Sequence, residues 1–76
     1  MVLEKLQQII AAVLHVDVRE VSEQTSFARD LGADSLDLLQ IVSMAEEEFH
    51  IRFAGEDLRT LKTVGDAVAM IDRLQR

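Results

Sequence analysis

One serine stands between two aspartates where a polar, glycine-containing stretch gives way to an apolar-rich segment. Ser35 follows Asp34 directly, and Asp37 comes two residues later. At the start of a helix, the free backbone N–H groups and the helix dipole favour a nearby anion. A serine hydroxyl at this point is exposed and could carry a phosphate-linked group. The alternative is that Asp34 or Ser35 only caps the helix, which is a common use of both residue types.

The sequence offers little support for catalysis or metal binding. Ser35 lacks the G-x-S-x-G surroundings of a hydrolase nucleophile. The chain has no cysteine, and His15 and His50 fall near predicted helix C-termini, where the dipole favours a charged imidazole. The aspartates around Ser35 do not have EF-hand spacing, although a weak surface site for divalent cations stays open. We therefore expect a non-enzymatic protein without a dedicated metal site.

Charge is distributed unevenly along the 76 residues, which are enough for one domain spanning 1–76. The net charge is −6, but the segment from Asp30 to Asp57 holds eight carboxylates and one cation and so carries −7. Such a surface repels nucleic acid and anionic lipid and attracts basic proteins, unless it is only a solvated helix face. The sequence shows no secretion leader and no apolar run of about 20 residues. We expect a cytoplasmic protein that does not insert into membranes.

The spacing of apolar residues predicts an all-α fold, a small four-helix bundle with three main helices and one short helix. The helices are expected at about residues 2–15, 35–50 and 56–60, and from residue 63 onward. The loop over residues 16–34 is longer than a helical hairpin needs, and long loops are often functional. Phe27 and Leu31 are expected to anchor this loop to the core. Thr63 is expected to cap the last helix, and Asp66 to complete its capping box.

The second helix contains more apolar residues than a core-facing helix requires. Five of the seven residues from Leu36 to Val42 are apolar, whereas about three per heptad are enough. Leu38 and Leu39 are the best candidates for exposure next to Ser35. The core face of this helix is predicted to comprise Ile41, Val42, Ala45 and Phe49. The buried face of the last helix is predicted to comprise Val64, Ala67, Val68, Ile71 and Leu74.

The motif L-G-A-D-S-L-D, followed by an apolar run and then E-E-E-F at 46–49, closely resembles the acyl carrier proteins of dissociated bacterial fatty acid synthesis. The resemblance covers nearly the whole chain. It implies that Ser35 is covalently attached to 4′-phosphopantetheine, with Asp34 and Leu36 as its neighbours in the cofactor-binding motif. It further implies that the thiol of this arm holds acyl chains as thioesters and passes them between the enzymes of fatty acid synthesis.

The same resemblance implies the partners of the chain. They are a phosphopantetheinyl transferase, acyl-processing enzymes with basic docking patches and the acyl chain as cargo, and the protein is expected to be a monomer. The residues expected to dock partners lie on or just before the second helix: Asp34, Leu36, Asp37, Leu38, Leu39, Gln40, Ser43, Glu46 and Glu47.

The sequence departs from the common pattern of this family at Gln40, Ser43, Met44-Ala45 and Ala54. Gln40 stands where the family usually has an acidic residue, and Ser43 stands where methionine is typical. Met44-Ala45 reverses the usual order of a small and then a large residue, and Ala54 replaces the usual proline. These departures concern the pathway more than the carrier role, and they leave open a specialised carrier for polyketide, aminoacyl or D-alanyl units. A separate alternative, of a different class, is an unmodified acidic interaction module in which Ser35 is a plain cap.

Overall fold

The structure is a computed structural model that describes all 76 residues, and it contains four α-helices and no strand. The α-helices are α1 (Val2–Leu14), α2 (Ser35–Phe49), α3 (Gly55–Leu58) and α4 (Val64–Gln75). The predicted all-α architecture with three main helices and one short helix is confirmed. A 3₁₀ turn at Val18–Glu20, inside the long loop, was not predicted. None of the helices combines the length and the hydropathy that a transmembrane span requires.

The buried faces of α1, α2 and α4 form a single core. The predicted face of α2 is confirmed, since its buried residues are Ile41, Val42, Ala45 and Phe49. The prediction for α4 is correct for Val64, Ala67 and Ile71, whereas Val68 and Leu74 are only half-buried. Met70 is buried in addition, because it lies one helical turn after Ala67 on the same face. The apolar spacing therefore identified the correct buried face of α4 but not the extent of burial at its margin.

The long loop before α2 is fixed by one deeply buried aromatic ring and by hydrogen bonds to α4. Phe27 is only 2% exposed, and Leu31 packs half-buried against the core, so the predicted anchors are confirmed. The loop carbonyls of Thr25 and Glu23 accept hydrogen bonds from the first N–H groups of α4, both at 2.9 Å. Glycine at 65 permits this close approach, because a Cβ there would lie 3.0 Å from the Glu23 carbonyl oxygen and would require the backbone at Glu23 to shift.

The predicted cap of α4 is confirmed. Thr63 Oγ1 accepts a hydrogen bond from the Asp66 N–H at 3.2 Å. The Asp66 carboxylate accepts from the backbone N–H groups of Thr63 and Lys62, each at 3.0 Å. These bonds to the charged carboxylate, first that from Thr63 and then that from Lys62, hold the pKa of Asp66 below its usual value.

The two histidines end α1 and α2, as the sequence predicted. His15 has a φ of 58° and His50 a φ of 56°, so both adopt the left-handed conformation that usually belongs to glycine at a helix C-terminus. Their backbone N–H groups close the last turns by donating to Ala11 and Glu46 carbonyls. Both histidines therefore terminate helices, and His50 lies at the opposite end of α2 from Ser35.

Candidate functional site

The first turn of α2 leaves the Ser35 hydroxyl free. Asp34 Oδ1 accepts a hydrogen bond from the Asp37 N–H at 2.9 Å, and Asp37 Oδ2 accepts from the Asp34 N–H at 3.1 Å. Asp34 is therefore the N-cap, and the two aspartates share the capping that the sequence could also have assigned to Ser35. Ser35 is exposed and takes no part in this cap. The side chain is thus available for a covalent bond.

The same turn is suited to an anion on Ser35. The backbone N–H groups of Ser35 and Leu36 have no acceptor within the chain, because the helical bonding pattern begins with Leu38 donating to Asp34. Free first-turn N–H groups and the positive end of the helix dipole both favour a phosphate. A phosphodiester on Ser35 Oγ would be held next to these groups. The residues present therefore fit the attachment of a phosphate-linked arm.

A cleft of about 240 Å³ opens directly beside Ser35. Its walls come from α2 and from α3 with the turn that follows, and its lining residues are Ser35, Leu38, Leu39, Leu58, Arg59 and Leu61. The sequence did not identify Leu58, Arg59 or Leu61 as part of the site. Their approach to Ser35 is a tertiary contact between distant segments, and no pattern along the chain encodes it. The cleft could shelter an apolar group tethered at Ser35.

The leucines at the start of α2 differ in exposure. Leu39 is 51% exposed, as expected, but Leu38 is half-buried and lines the cleft. The expectation that Leu38 points to solvent was therefore wrong, because its side chain packs against the hydrophobic core. Leu36 is the most exposed of the three, at 73%. Leu36 and Leu39 together give α2 an apolar surface beside Ser35.

The acidic residues of α2 also have different environments. Glu47 is exposed and makes no hydrogen bond, whereas Glu46 is half-buried and its Oε2 accepts from the Phe53 N–H at 2.8 Å. Glu48 forms an ion pair with Lys5 on α1 at 3.1 Å. Of these three, Glu47 is therefore the one wholly free to attract a basic partner.

The two neutral polar residues predicted to dock partners, Gln40 and Ser43, are both exposed on α2. Asp37, also in the predicted docking set, is half-buried and engaged in the cap. The docking role of the whole set stays a prediction. No group of three or more histidine, aspartate or glutamate side chains is arranged to hold a metal ion.

Comparisons with known proteins agree with this geometry. Residues 4–71 match a family described as a phosphopantetheine attachment site. The fold is similar to that of a candidate acyl carrier protein from Mycobacterium tuberculosis, with a TM-score of 0.90 and 32% identity over 96% of this chain and 97% of that chain. It is also similar to the acyl carrier protein from Enterococcus faecalis, with a TM-score of 0.80 and 33% identity over 96% of this chain and 92% of the other.

Proposed function

Since this chain belongs to the phosphopantetheine attachment family and is an acyl carrier protein, we propose that it carries growing acyl chains from enzyme to enzyme in fatty acid synthesis. Its cofactor is 4′-phosphopantetheine, and it is a carrier rather than an enzyme. The attachment point is Ser35. The observation that carries this assignment is the free, exposed Ser35 hydroxyl between two capping aspartates, next to a cleft lined by leucines.

The chain and the arm contribute different chemistry. The sequence has no cysteine, so the thiol that holds an acyl group as a thioester is supplied by the arm. Ser35 Oγ would form the phosphodiester bond when a phosphopantetheinyl transferase transfers the arm from coenzyme A, with cleavage of the pyrophosphate bond of coenzyme A and release of adenosine 3′,5′-bisphosphate. The protein then presents the arm at the fixed start of α2. We place this carrier in the cytoplasm and propose that it acts as a monomer.

Docking of partner enzymes is proposed to use the exposed face of α2. The segment from Asp30 to Asp57 carries −7, which steers basic patches toward Ser35 and favours fast, reversible association. Leu36 and Leu39 supply apolar contact at the centre of the face, where binding energy is usually concentrated. Asp37 and Glu47 lie on the same helix and supply charge.

The cleft beside Ser35 supports acyl chains as cargo. Leu38, Leu58 and Leu61 line it, and each methylene that leaves water for such a surface is stabilised by about 0.8 kcal/mol. A thioester-linked chain that folds back into the cleft is shielded from water between visits to enzymes. An unmodified interaction module, in contrast, would have no use for a leucine-lined cleft beside a free hydroxyl.

Mass spectrometry after incubation with coenzyme A and a broad-specificity transferase tests the attachment. One phosphopantetheine group should be added to the protein, and Ser35→Ala should abolish the addition. Ser43→Ala is the matched control, because Ser43 is also exposed on α2 and the addition should persist. Addition at Ser22, Ser26 or Ser43 would overturn the assignment.

Binding to a basic acyl-processing enzyme at increasing salt tests the docking surface. Exposed ion pairs are worth only about 0–1 kcal/mol each, so Glu47→Lys alone should weaken binding mildly. Glu47→Lys combined with Asp34→Asn should weaken it severely, and rising salt should weaken the wild-type complex. An affinity that does not change between low and physiological salt would contradict electrostatic docking.

A specialised carrier is the second candidate, and a specific observation favours it. Gln40 and Ser43 are neutral and exposed on α2. In the common family pattern, an acidic residue and a methionine occupy these two positions of the proposed docking surface. A polyketide, aminoacyl or D-alanyl pathway would have partners matched to such a surface. Mass spectrometry of the acyl group on holo-protein purified from its native host distinguishes these pathways, because a saturated fatty chain identifies the fatty acid type.

A further inference from the structure

A second cleft shares two lining side chains with the one beside Ser35. It has a volume of about 410 Å³ and lies between the loop at Ser26–Arg29 and the segment before α4. Leu38 and Leu61 line both clefts, so the two spaces are adjacent at these side chains. The second cleft is also lined by Arg29 and Lys62. A chain tethered at Ser35 could therefore pass along leucine side chains and end beside two cations.

All of the charged residues that line these clefts are cations. The chain has fourteen acidic and eight basic residues, yet the clefts contain Arg29, Arg59 and Lys62 and no carboxylate. We call these three residues the cation triad. None of them forms an ion pair within the chain. Asp66 lies near Lys62, but its carboxylate is bound to backbone N–H groups at the start of α4.

We propose that the two clefts hold a tethered acyl chain whose far end carries a carboxylate, and that Arg29 and Lys62 bind this carboxylate. The inference rests on the proposed function, in which Ser35 carries the acyl arm. A fully apolar chain would fill the leucine-lined part and would make no use of the two cations. A chain with an anionic end satisfies both halves of the combined cleft. Arg59 lies at the Ser35 end, where the phosphodiester of the arm is the nearer anion.

The pKa of the cargo carboxyl group is the direct readout. The protein is loaded by a broad-specificity transferase from coenzyme A thioesters with dodecanoyl or with dodecanedioyl carrying ¹³C at its free carboxyl, and the label is titrated by NMR. Two cations should lower the pKa of this carboxyl by about half a unit or more relative to dodecanedioyl-pantetheine. Burial in an apolar cleft and the net charge of −6 would both raise the pKa. An unchanged or raised pKa therefore overturns the proposal.

Matched variants distinguish the effect of the cleft cations on the carboxyl pKa from the effect of the overall charge of the protein. Arg29→Gln with Lys62→Gln should abolish the lowering of the carboxyl pKa. Arg52→Gln with Arg76→Gln removes the same charge from exposed positions outside both clefts and should preserve the lowering. Equal loss in the two double variants would overturn the proposal, since it would show a general field instead of a site. The dodecanoyl protein should melt at the same temperature in the wild type and in the first double variant.

Holo-protein without any acyl cargo tests whether the cations bind the phosphate of the arm instead of a cargo carboxylate. The ³¹P NMR shift of the holo-protein should respond to Arg59→Gln and be unaffected by the Arg29 and Lys62 substitutions. If those two substitutions alter only the ³¹P shift and leave the carboxyl titration unchanged, the cations serve the arm and the carboxylate assignment is wrong. The mass of the loaded protein separates the two levels of inference. Absence of any addition at Ser35 refutes the proposed function, whereas loading without a pKa shift refutes this inference alone.

Discussion

Glu46→Ala should destabilise the protein markedly more than Glu47→Ala, although both residues are neighbouring glutamates on α2. Glu46 Oε2 accepts a 2.8 Å hydrogen bond from the Phe53 N–H, seven residues further along the chain. This bond holds the segment that links α2 to α3. Hydrogen bonds to a charged group contribute about 1.5–3 kcal/mol, and partial exposure of this one lowers the expected loss to about 1–1.5 kcal/mol.

Glu47→Ala is a close control for this change. Both substitutions remove one negative charge from α2 and introduce the same residue, so helix propensity and charge relief are matched. Glu47 has no hydrogen-bond partner, so its replacement should change stability by less than about 0.5 kcal/mol. Glu46→Gln keeps a neutral acceptor for the Phe53 N–H and should fall between the two.

Urea unfolding followed by far-ultraviolet circular dichroism measures the three free energies of unfolding. For a domain of this size, the expected loss at Glu46 corresponds to a fall in melting temperature of about 4–12 °C. Indistinguishable unfolding midpoints for Glu46→Ala and Glu47→Ala would refute the reasoning. In that case the carboxylate at 46 would contribute nothing to the fold and would belong with the docking charges.

Three further outcomes follow from the structure. His50→Gly should stabilise the protein by about 0.5–1 kcal/mol in urea unfolding, because it relieves a left-handed conformation, whereas His50→Ala should give no such gain. Hydrogen bonds lower the folded-state pKa of Asp66, so its contribution to stability is complete above the ordinary pKa of 3.8 and is lost as the pH falls through the lower folded value. The difference in urea midpoint between the wild type and Asp66→Asn should therefore be larger at pH 7 than at pH 3. Added salt should raise the melting temperature, since the Debye length falls from about 30 Å at 0.01 M to about 10 Å at 0.1 M and screens the −7 segment; a flat or falling curve would show that this repulsion costs nothing measurable.

Local signals predicted α2 and α4 well because the residues that cap their N-termini and form their apolar faces lie close together in the sequence. The capping box at Thr63 and Asp66 consists of residues three apart, and the apolar face of α2 follows helical spacing. The 3₁₀ turn at Val18–Glu20 also has a local signal that sequence reasoning did not use. Asp17 and Glu20 form a capping box of the same kind as the one that starts α4.

The parts of the site that the sequence did not predict depend on tertiary contacts. Leu38 is half-buried because it packs against the core, and it shares a cleft with Leu58 and Leu61 from a distant part of the sequence. Arg59 reaches the Ser35 cleft from a segment more than twenty residues away. Glu46 was assigned to docking because it is acidic and lies on α2, but its bond to Phe53 depends on the path of the chain after the helix. The spacing of apolar residues along the sequence does not predict these tertiary contacts.

The fixed position of Ser35, the proposed attachment point, would explain how so small a chain can take part in reactions that it does not catalyse. Asp34 and Asp37 cap α2, and the loop before it is held by Phe27 and by the close approach of Glu23 to Gly65. These contacts are distributed over the whole domain, yet their shared effect is to fix the point at which α2 begins. A reactive group linked to Ser35 would move on its own arm while the surface around its root stays constant. Different enzymes can then recognise one rigid surface and act on whatever the arm presents, so the protein needs no catalytic residue of its own.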